Sequence, residues 1–121
     1  MDHHQLFYIN GAWVNPSVQK SFDVINPATE EPYTRISLGS SADVDKAVLA
    51  ARAAFPDFAK TNKATRLALL KRILAVYNDR ADEIAQALSD EMGAPLAWAR
   101  DAQTWAGQVH LEATIASLEG Y

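Results

Sequence analysis

A long amphipathic segment between Thr65 and Pro95 constrains the fold more than any other part of the sequence. Its apolar residues recur at alternating steps of three and four, which places one stripe along a helix. The stripe consists of Leu67, Leu70, Leu74, Tyr77, Ala81, Ile84 and Leu88. Gly93 supplies a left-handed cap at the end, and Pro95 prevents simple continuation. Because Leu69 and Ile73 widen the stripe beyond a coiled-coil seam, we expect the segment to lie on a globular core.

The opposite face of this central helical segment, residues 64–93, is charged. Its polar positions are Arg66, Lys71, Arg72, Asp79, Arg80, Asp82, Glu83 and Asp90. Asn78-Asp79 interrupts an otherwise strong run of helix formers and is a point at which the segment can divide into two shorter helices. One helix cannot bury this stripe alone, so another part of the chain, or a partner beyond it, must cover it.

Residues 1–39 are predicted to form short strands. Asn10-Gly11 separates two short apolar runs and tolerates the positive φ angles of a type I′ turn, which predicts a β-hairpin over residues 6–14. Further strands are expected over residues 21–25 and 33–38, with a turn at Asn26-Pro27 between them. The polar start, Met1 to Gln5, is expected to be loose, and its adjacent histidines have no third ligand at a usable spacing.

A first helix is predicted over residues 40–58. Ser40 with Asp43 three residues later resembles a capping box with the shorter acid. Its buried face is expected to comprise Val44, Ala47, Val48, Ala51 and Phe55. We expect Pro56 to end the helix, and we interpret Phe55 and Phe58 as core residues and not as a ligand-stacking pair.

A third helix is predicted over residues 95–118, with Pro95 in its first turn. One side of this helix alternates two indoles with small residues, a pattern suited to close packing against another helix or subunit. That side consists of Trp98, Ala102, Trp105, Val109, Ala113 and Ala116. Gly107 is expected to mark the closest approach of the packed elements.

The composition bounds the class of protein. The chain has 121 residues, 49% of them hydrophobic, enough for one modest domain with a core. A net charge of -4 and the lack of a basic run argue against a nucleic-acid partner. With no apolar run near the roughly 20 residues that span a bilayer, and no signal-peptide pattern, we expect a cytoplasmic protein without a membrane partner. The absence of cysteine excludes a thiolate metal site and a cysteine nucleophile within this chain.

Motif searching alone gives no enzyme, because the sequence has no Gly-rich phosphate loop, HExxH motif, calcium loop or nucleophile elbow. Asp101, His110 and Ser117 have the residue types of a hydrolytic triad, but their offsets of nine and seven place them around one helix. Asp90-Glu91 are neighbours on a helix and do not face each other. We therefore predict no catalytic residues and no cofactor-binding residues in this chain.

Four stretches of the sequence, in order, carry a resemblance to a known family. They are Tyr8-Ile9-Asn10-Gly11-Ala12-Trp13-Val14, residues 22–30, residues 42–48 with 50–56, and Glu91-Met92-Gly93-Ala94-Pro95. Each stretch is weak alone, but together they resemble the N-terminal portion of the aldehyde dehydrogenase superfamily, whose last motif is Glu-Thr-Gly-Lys-Pro. Met92, Ala94 and Phe58, which stands where the family often has tryptophan, depart from the pattern and obscure the subfamily.

The resemblance implies that this chain is the N-terminal part of a coenzyme-binding domain, residues 1–121, within an α/β aldehyde dehydrogenase-like fold. The chain itself is expected to be mainly helical, with a β-hairpin and short strands followed by about three α-helices. In the family a cysteine attacks the aldehyde to form a thiohemiacetal, and hydride leaves to NAD or NADP. The resemblance therefore implies a chain that is inactive alone, the remainder of the polypeptide as its partner, and a homo-oligomer.

Some members of the family bind a monovalent cation, so the resemblance also implies a cation site in this chain. Its ligands there are backbone carbonyls just before Asn-Pro, here Val24 and Ile25, and a carboxylate in the Glu-x-Gly motif, here Glu91. The alternative hypothesis for the whole chain is a self-standing helical module that binds another protein through its apolar stripes.

Overall fold

The computed structural model describes residues 3–121 and divides into two units, one ending at Lys60 and one running from Thr61 to Tyr121. The first unit contains strands β1 (Phe7–Ile9), β2 (Ala12–Val14), β3 (Ser21–Asn26) and β4 (Glu31–Ser37), then helix α1 (Ser41–Phe58). The second contains α2 (Lys63–Asp79), α3 (Ala81–Met92), α4 (Leu96–Trp98), a π-helical turn (Ala99–Thr104) and α5 (Trp105–Gly120). The chain is thus mainly helical after short strands, as the sequence predicts.

The first hairpin joins β1 to β2 in antiparallel register, with Phe7 opposite Val14. Asn10 and Gly11 have φ angles of 53° and 78°, the two positive values of a type I′ turn. Only asparagine, aspartate and glycine adopt this conformation readily, so the local sequence determines both the turn and the register. The hairpin prediction is confirmed.

The residues before β1 contact the second hairpin, contrary to the expectation of a loose start over Met1 to Gln5. His4 Nδ1 lies 2.8 Å from Thr34 Oγ1, and the Ser37 hydroxyl donates to the Gln5 carbonyl at 2.8 Å. Sequence reasoning missed these contacts because their partners are about 30 residues away. Met1 and Asp2 lie outside the described residues.

The second hairpin pairs β3 with β4 and contains one bulge. Val24 pairs with Thr34 but Ile25 pairs with Pro32, so Tyr33 is the extra residue. Pro32 has no backbone N–H to donate, which accounts for the break in the ladder at this point. Arg35 Nε donates to Asp23 Oδ1 at 2.6 Å. This hydrogen bond is the main reason that the pKa of Asp23 is lowered and that of Arg35 is raised.

Helix α1 corrects two predictions. Pro56 lies inside the helix and does not end it, because one missing N–H in the last turn removes only one bond, and Ala59 N still donates to Phe55 O at 2.8 Å. The face predicted to be buried is exposed over Val44, Ala47, Val48, Ala51 and Phe55. Phe55 is 68% exposed and Phe58 is 50% exposed, so neither is a core residue of this chain.

The predicted central segment is two helices, α2 and α3, which meet at Arg80 immediately after Asn78-Asp79. Every residue of the predicted stripe is half-buried, from Leu67 to Leu88, whereas Leu69 and Ile73 on its margin are exposed. Gly93 has a φ of 73° and its N–H donates to Ser89 O at 3.0 Å, which confirms the left-handed cap. Helix α2 packs against α5, and α3 packs against the π-helical turn.

The predicted third helix differs most from the structure, because a π-helical turn separates α4 from α5. The buried residues of this region are Ala99, Thr104 and Ile115, and none of them belongs to the predicted stripe. A π turn contains one extra residue, which displaces the following side chains by roughly 100° around the axis. A period of 3.6 residues therefore fails across residues 99–104.

Candidate functional site

Asp43 accepts more hydrogen bonds than any other carboxylate in the described part of the chain. It is only 5% exposed. Its Oδ1 accepts the Ser17 backbone N–H at 2.8 Å and the Ser17 hydroxyl at 2.7 Å. Its Oδ2 accepts the Ser40 backbone N–H at 2.9 Å and the Ser40 hydroxyl at 2.7 Å. One carboxylate therefore fastens the loop after β2 to the start of α1.

These donors hold the pKa of Asp43 far below its usual range. The Ser17 hydroxyl has the largest effect, followed by the backbone N–H and hydroxyl of Ser40, while partial burial opposes them. The capping box between Ser40 and Asp43 is confirmed. Sequence reasoning missed Ser17, which lies 26 residues away and carries no local signal.

The Asp43 cluster is a structural clamp and not a nucleophilic centre. Lys46 Nζ donates to Ser17 Oγ at 2.8 Å, while Ser17 Oγ itself donates to Asp43. The Ser17 proton thus points at a carboxylate whose pKa is lowered, and such a carboxylate is a weak base that does not activate a serine nucleophile. A neighbouring apolar hollow of about 400 Å³ lies between β1 and α1, and Asp43 is the one carboxylate in its lining. Each oxygen of Asp43 already accepts two hydrogen bonds, so this carboxylate is not a free catalytic group in the hollow.

A second polar feature lies where α2 meets the π-helical turn. The Tyr77 hydroxyl donates to the Thr104 carbonyl at 2.8 Å. Thr104 is 3% exposed, and its own Oγ1 has no hydrogen-bond partner in the described residues, nor does the buried Gln103 Oε1. Gly107 lies directly beside the Tyr77 ring, since a Cβ placed there would be 2.7 Å from Tyr77 Cζ. The sequence-based expectation of a close approach at Gly107 is confirmed.

We expect Tyr77→Phe to lower the free energy of unfolding by about 1 kcal/mol, because the hydrogen bond from the Tyr77 hydroxyl to the Thr104 carbonyl is then lost. Urea unfolding followed by circular dichroism measures the change. Tyr33→Phe, at an exposed tyrosine of β4, is the matched control and should be near neutral. Equal effects of the two substitutions would contradict the assigned role of the Tyr77 hydroxyl.

The residues proposed for a cation site lie in different units. Val24 and Ile25 belong to β3 of the first unit, and Glu91 is an exposed residue in the last turn of α3 in the second. Residues 3–121 contain no group of three or more histidine, cysteine, aspartate or glutamate side chains placed to hold a metal ion. A site of backbone carbonyls and one carboxylate does not require such a group, so this cation hypothesis stays a prediction.

The triad hypothesis gains no geometric support. Asp101 lies in the π-helical turn, whereas His110 and Ser117 lie within α5, and all three are exposed. Ser117 is inside a regular helix and not on a strand-to-helix elbow. Of the paired carboxylates, Asp90 accepts a hydrogen bond from Gln86 at 3.0 Å and Glu91 faces solvent. These residues are ordinary helix-surface groups.

Within residues 3–121, no helix has both the length and the apolar character needed to cross a lipid bilayer.

Comparison with known proteins finds one family. The model of the aldehyde dehydrogenase family matches residues 13–117. One relative is a Staphylococcus aureus protein that is provisionally named an aldehyde dehydrogenase. The two chains are 43% identical over a match that covers 94% of this chain and 24% of the relative. The crystal structure of aldehyde dehydrogenase from Bartonella henselae superposes with a TM-score of 0.95 at 41% identity, covering 97% of this chain and 25% of that one.

A second solved structure is equally similar. It is a cysteine-to-alanine variant of aldehyde dehydrogenase C from Pseudomonas syringae, in complex with NAD+ and octanal. It has a TM-score of 0.96 and 41% identity, and the match covers 98% of this chain and 24% of that one. The chain thus spans about a quarter of the length of the relatives that it matches. Since the family model covers most of its residues, this chain belongs to the aldehyde dehydrogenase family.

Proposed function

We propose that this chain is the N-terminal segment of an NAD(P)-dependent aldehyde dehydrogenase that oxidises an aldehyde to a carboxylic acid through a cysteine thiohemiacetal. One observation carries the proposal: the match extends over 94–98% of this chain but only 24–25% of its relatives. The sequence contains no cysteine, so the nucleophile must belong to the remaining three quarters of such a polypeptide.

Residues 3–121, which the structure describes, do not fit a dinucleotide site. Their strands form antiparallel hairpins and not the parallel strand–helix–strand unit that holds a pyrophosphate, and no Gly-rich turn links one of these strands to a helix. NAD+ is bound by the Pseudomonas syringae relative, which supports NAD or NADP as the coenzyme of the longer polypeptide. We assign no step of the redox reaction to the residues described above.

The role that remains for this chain is structural support of the catalytic parts. Large apolar side chains are exposed in both units, among them Phe55 of α1 and Trp105 of α5. Surfaces of this kind are usually covered by another part of the protein or by a partner. We propose that the rest of the polypeptide covers them, in a homo-oligomeric enzyme of the cytoplasm.

We expect the purified 121-residue chain to show no aldehyde-dependent formation of NADH or NADPH, whereas the polypeptide encoded by the uninterrupted reading frame should be active. Absorbance at the nicotinamide band, with octanal as the first substrate tried, measures both. A cysteine-to-alanine variant of the long polypeptide at its nucleophile is the control for the assay. Robust turnover by a pure, mass-verified 121-residue sample would contradict the proposal.

The second candidate function is a self-standing helical module that binds another protein. The exposure of Trp98 and Trp105, at 61% and 57%, favours it, because aromatic side chains are enriched at protein interfaces. The reading frame separates the two candidates. A stop codon directly after Tyr121 favours the module, whereas a frame that continues into a Gly-rich strand–helix unit and a later cysteine favours the enzyme.

A further inference from the structure

Asn10 differs from the other asparagines of the chain in the residue that follows it. Asparagine is a thermolabile residue, because the backbone nitrogen of the next residue can attack its side-chain amide. Asn10 precedes glycine, whereas Asn15 and Asn26 precede proline, and Asn62 and Asn78 precede charged residues of α2. Glycine leaves its nitrogen unhindered, while proline has no N–H to lose. Asn10-Gly11 is therefore the pair at which this attack meets the least steric hindrance.

Both reacting groups lie at the surface of the first hairpin. Asn10 and Gly11 are exposed, and nothing lies within 4 Å of a Cβ placed on Gly11. Within residues 3–121, the Asn10 side-chain amide makes no hydrogen bond. Neither burial nor a bonded partner therefore shields the amide, and what controls its reaction is the conformation of the backbone.

The type I′ turn holds the two reacting groups apart. Asn10 and Gly11 have φ angles of 53° and 78°, and the first central residue of such a turn has a ψ angle of about +30°. Because Cα is tetrahedral, this ψ angle puts the Gly11 nitrogen and the Asn10 Cβ on nearly opposite sides of the Cα–C bond. A succinimide ring needs them on the same side. The rotation that brings them together breaks the turn and the pairing of Ile9 with Ala12.

We propose that Asn10 is a site of spontaneous deamidation that reacts only from the open state of the first hairpin. The Gly11 nitrogen loses its proton and attacks Asn10 Cγ, so that an N–Cγ bond forms. The Cγ–Nδ2 bond breaks, and the amide nitrogen takes up a proton and leaves as ammonia. Water then opens the succinimide at one of its two carbonyls, which gives aspartate or isoaspartate at position 10.

The two products differ in what they do to the hairpin. Aspartate adopts positive φ angles almost as readily as asparagine, so this product closes the same turn with one additional negative charge. Isoaspartate carries the main chain through its side-chain carbonyl and lengthens the backbone by one atom. The two-residue turn sets the register that pairs Phe7 with Val14. The isoaspartate form should therefore not regain this register.

Peptide mapping by mass spectrometry tests the proposal on the polypeptide encoded by the uninterrupted reading frame. Aspartate and isoaspartate at position 10 are quantified over time in native buffer and in guanidinium chloride at the same neutral pH. We expect the products to form at least about tenfold more slowly in native buffer, because only molecules with an open hairpin react. The readout does not depend on turnover of an aldehyde.

Two substitutions weaken the hairpin without changing the turn itself. Tyr8 and Trp13 are cross-strand partners with ring centroids 5.2 Å apart, and His3 stacks on Trp13 with centroids 4.2 Å apart. Trp13→Ala removes both contacts, so we expect the native rate to rise roughly two- to tenfold. Tyr8→Thr keeps a good strand former and the stack on Trp13, and should cause a smaller rise. Neither should change the rate in guanidinium chloride.

Tyr33→Thr is the matched control, since Tyr33 is an exposed tyrosine of the second hairpin, and it should leave the native rate unchanged. Equal rates in native buffer and in guanidinium chloride would overturn the gating by the turn. A lack of both products in guanidinium chloride would show that Asn10 is not a modification site. Acceleration by Tyr33→Thr as large as that by Tyr8→Thr would contradict opening of the first hairpin as the controlling step. If Trp13→Ala fails to fold, the comparison of Tyr8→Thr with Tyr33→Thr decides.

Discussion

Asp43→Asn is expected to destabilise the N-terminal unit more than any other polar substitution in it. The carboxylate accepts two hydrogen bonds on each oxygen, from Ser17 and Ser40. Asparagine keeps one acceptor oxygen and turns an NH₂ group toward two of those donors, so it loses bonds and gains a donor–donor conflict. Urea unfolding at neutral pH measures the loss. Asp45→Asn, at an exposed carboxylate in the same turn of α1, is the matched control and should be close to neutral.

The loss of unfolding free energy caused by Asp43→Asn should depend on pH in a defined way. The folded-state pKa of Asp43 is lowered, whereas an unfolded aspartate titrates near pH 3.9. A lowered pKa contributes stability that is fully present above the unfolded value and is lost as the pH falls toward the folded value. The difference in unfolding free energy between the wild type and Asp43→Asn should therefore be constant above about pH 5 and shrink below about pH 4. The lowered pKa of Asp23 acts in the same direction in both proteins and cancels in this difference.

If the difference in unfolding free energy between the wild type and Asp43→Asn stayed constant down to pH 2, the carboxylate would contribute through its shape and not through its charge.

Ser17→Ala tests the Ser17 half of the cluster, because it removes the hydroxyl donor and leaves the Ser17 backbone N–H in place. We expect its effect to be smaller than that of Asp43→Asn and of the same sign. An effect equal to that of Asp45→Asn would contradict the role assigned to the Ser17 hydroxyl.

Features that depend on a few adjacent residues could be predicted from the sequence. The Asn10-Gly11 turn, the Gly93 cap and the capping box at Ser40 follow from backbone preferences and short-range hydrogen bonds. Partners that are distant in sequence could not be predicted. The Ser17 hydroxyl on Asp43, and the contacts of His4 and Gln5 with β4, arise from the tertiary arrangement and carry no periodic signal.

Two further differences have physical causes that single-sequence patterns do not contain. Periodicity predicts which side of α1 is apolar, but not whether this chain itself supplies the surface that covers it, and Phe55 remains exposed. Periodicity also assumes a constant number of residues per turn. The π-helical turn at residues 99–104 adds one residue, so the predicted stripe through Trp98 and Trp105 divides in two. The family, in contrast, was identifiable because four stretches occur in the right order.

Gly107→Ala is expected to lower the free energy of unfolding by about 1–3 kcal/mol, because the new methyl group overlaps the Tyr77 ring. The sign is informative. Alanine is the better helix former by roughly 0.5–1 kcal/mol, so without a close neighbour at position 107 the substitution would be stabilising. Gly120→Ala is the control, since nothing lies within 4 Å of a Cβ at that position. Unfolding in urea, followed by circular dichroism, measures both variants.

The cause of the loss can be isolated with a double-mutant cycle between Gly107→Ala and Tyr77→Phe. Removing the Tyr77 hydroxyl eliminates the closest overlap with the new methyl group, although Tyr77 Cζ would still lie 2.7 Å away. Part of the loss should therefore be recovered in the double variant, and the two changes should be non-additive by more than about 0.5 kcal/mol. Strict additivity would mean that Gly107→Ala acts through something other than the Tyr77 ring. The contact between α2 and α5 would then not depend on the absence of a side chain at position 107.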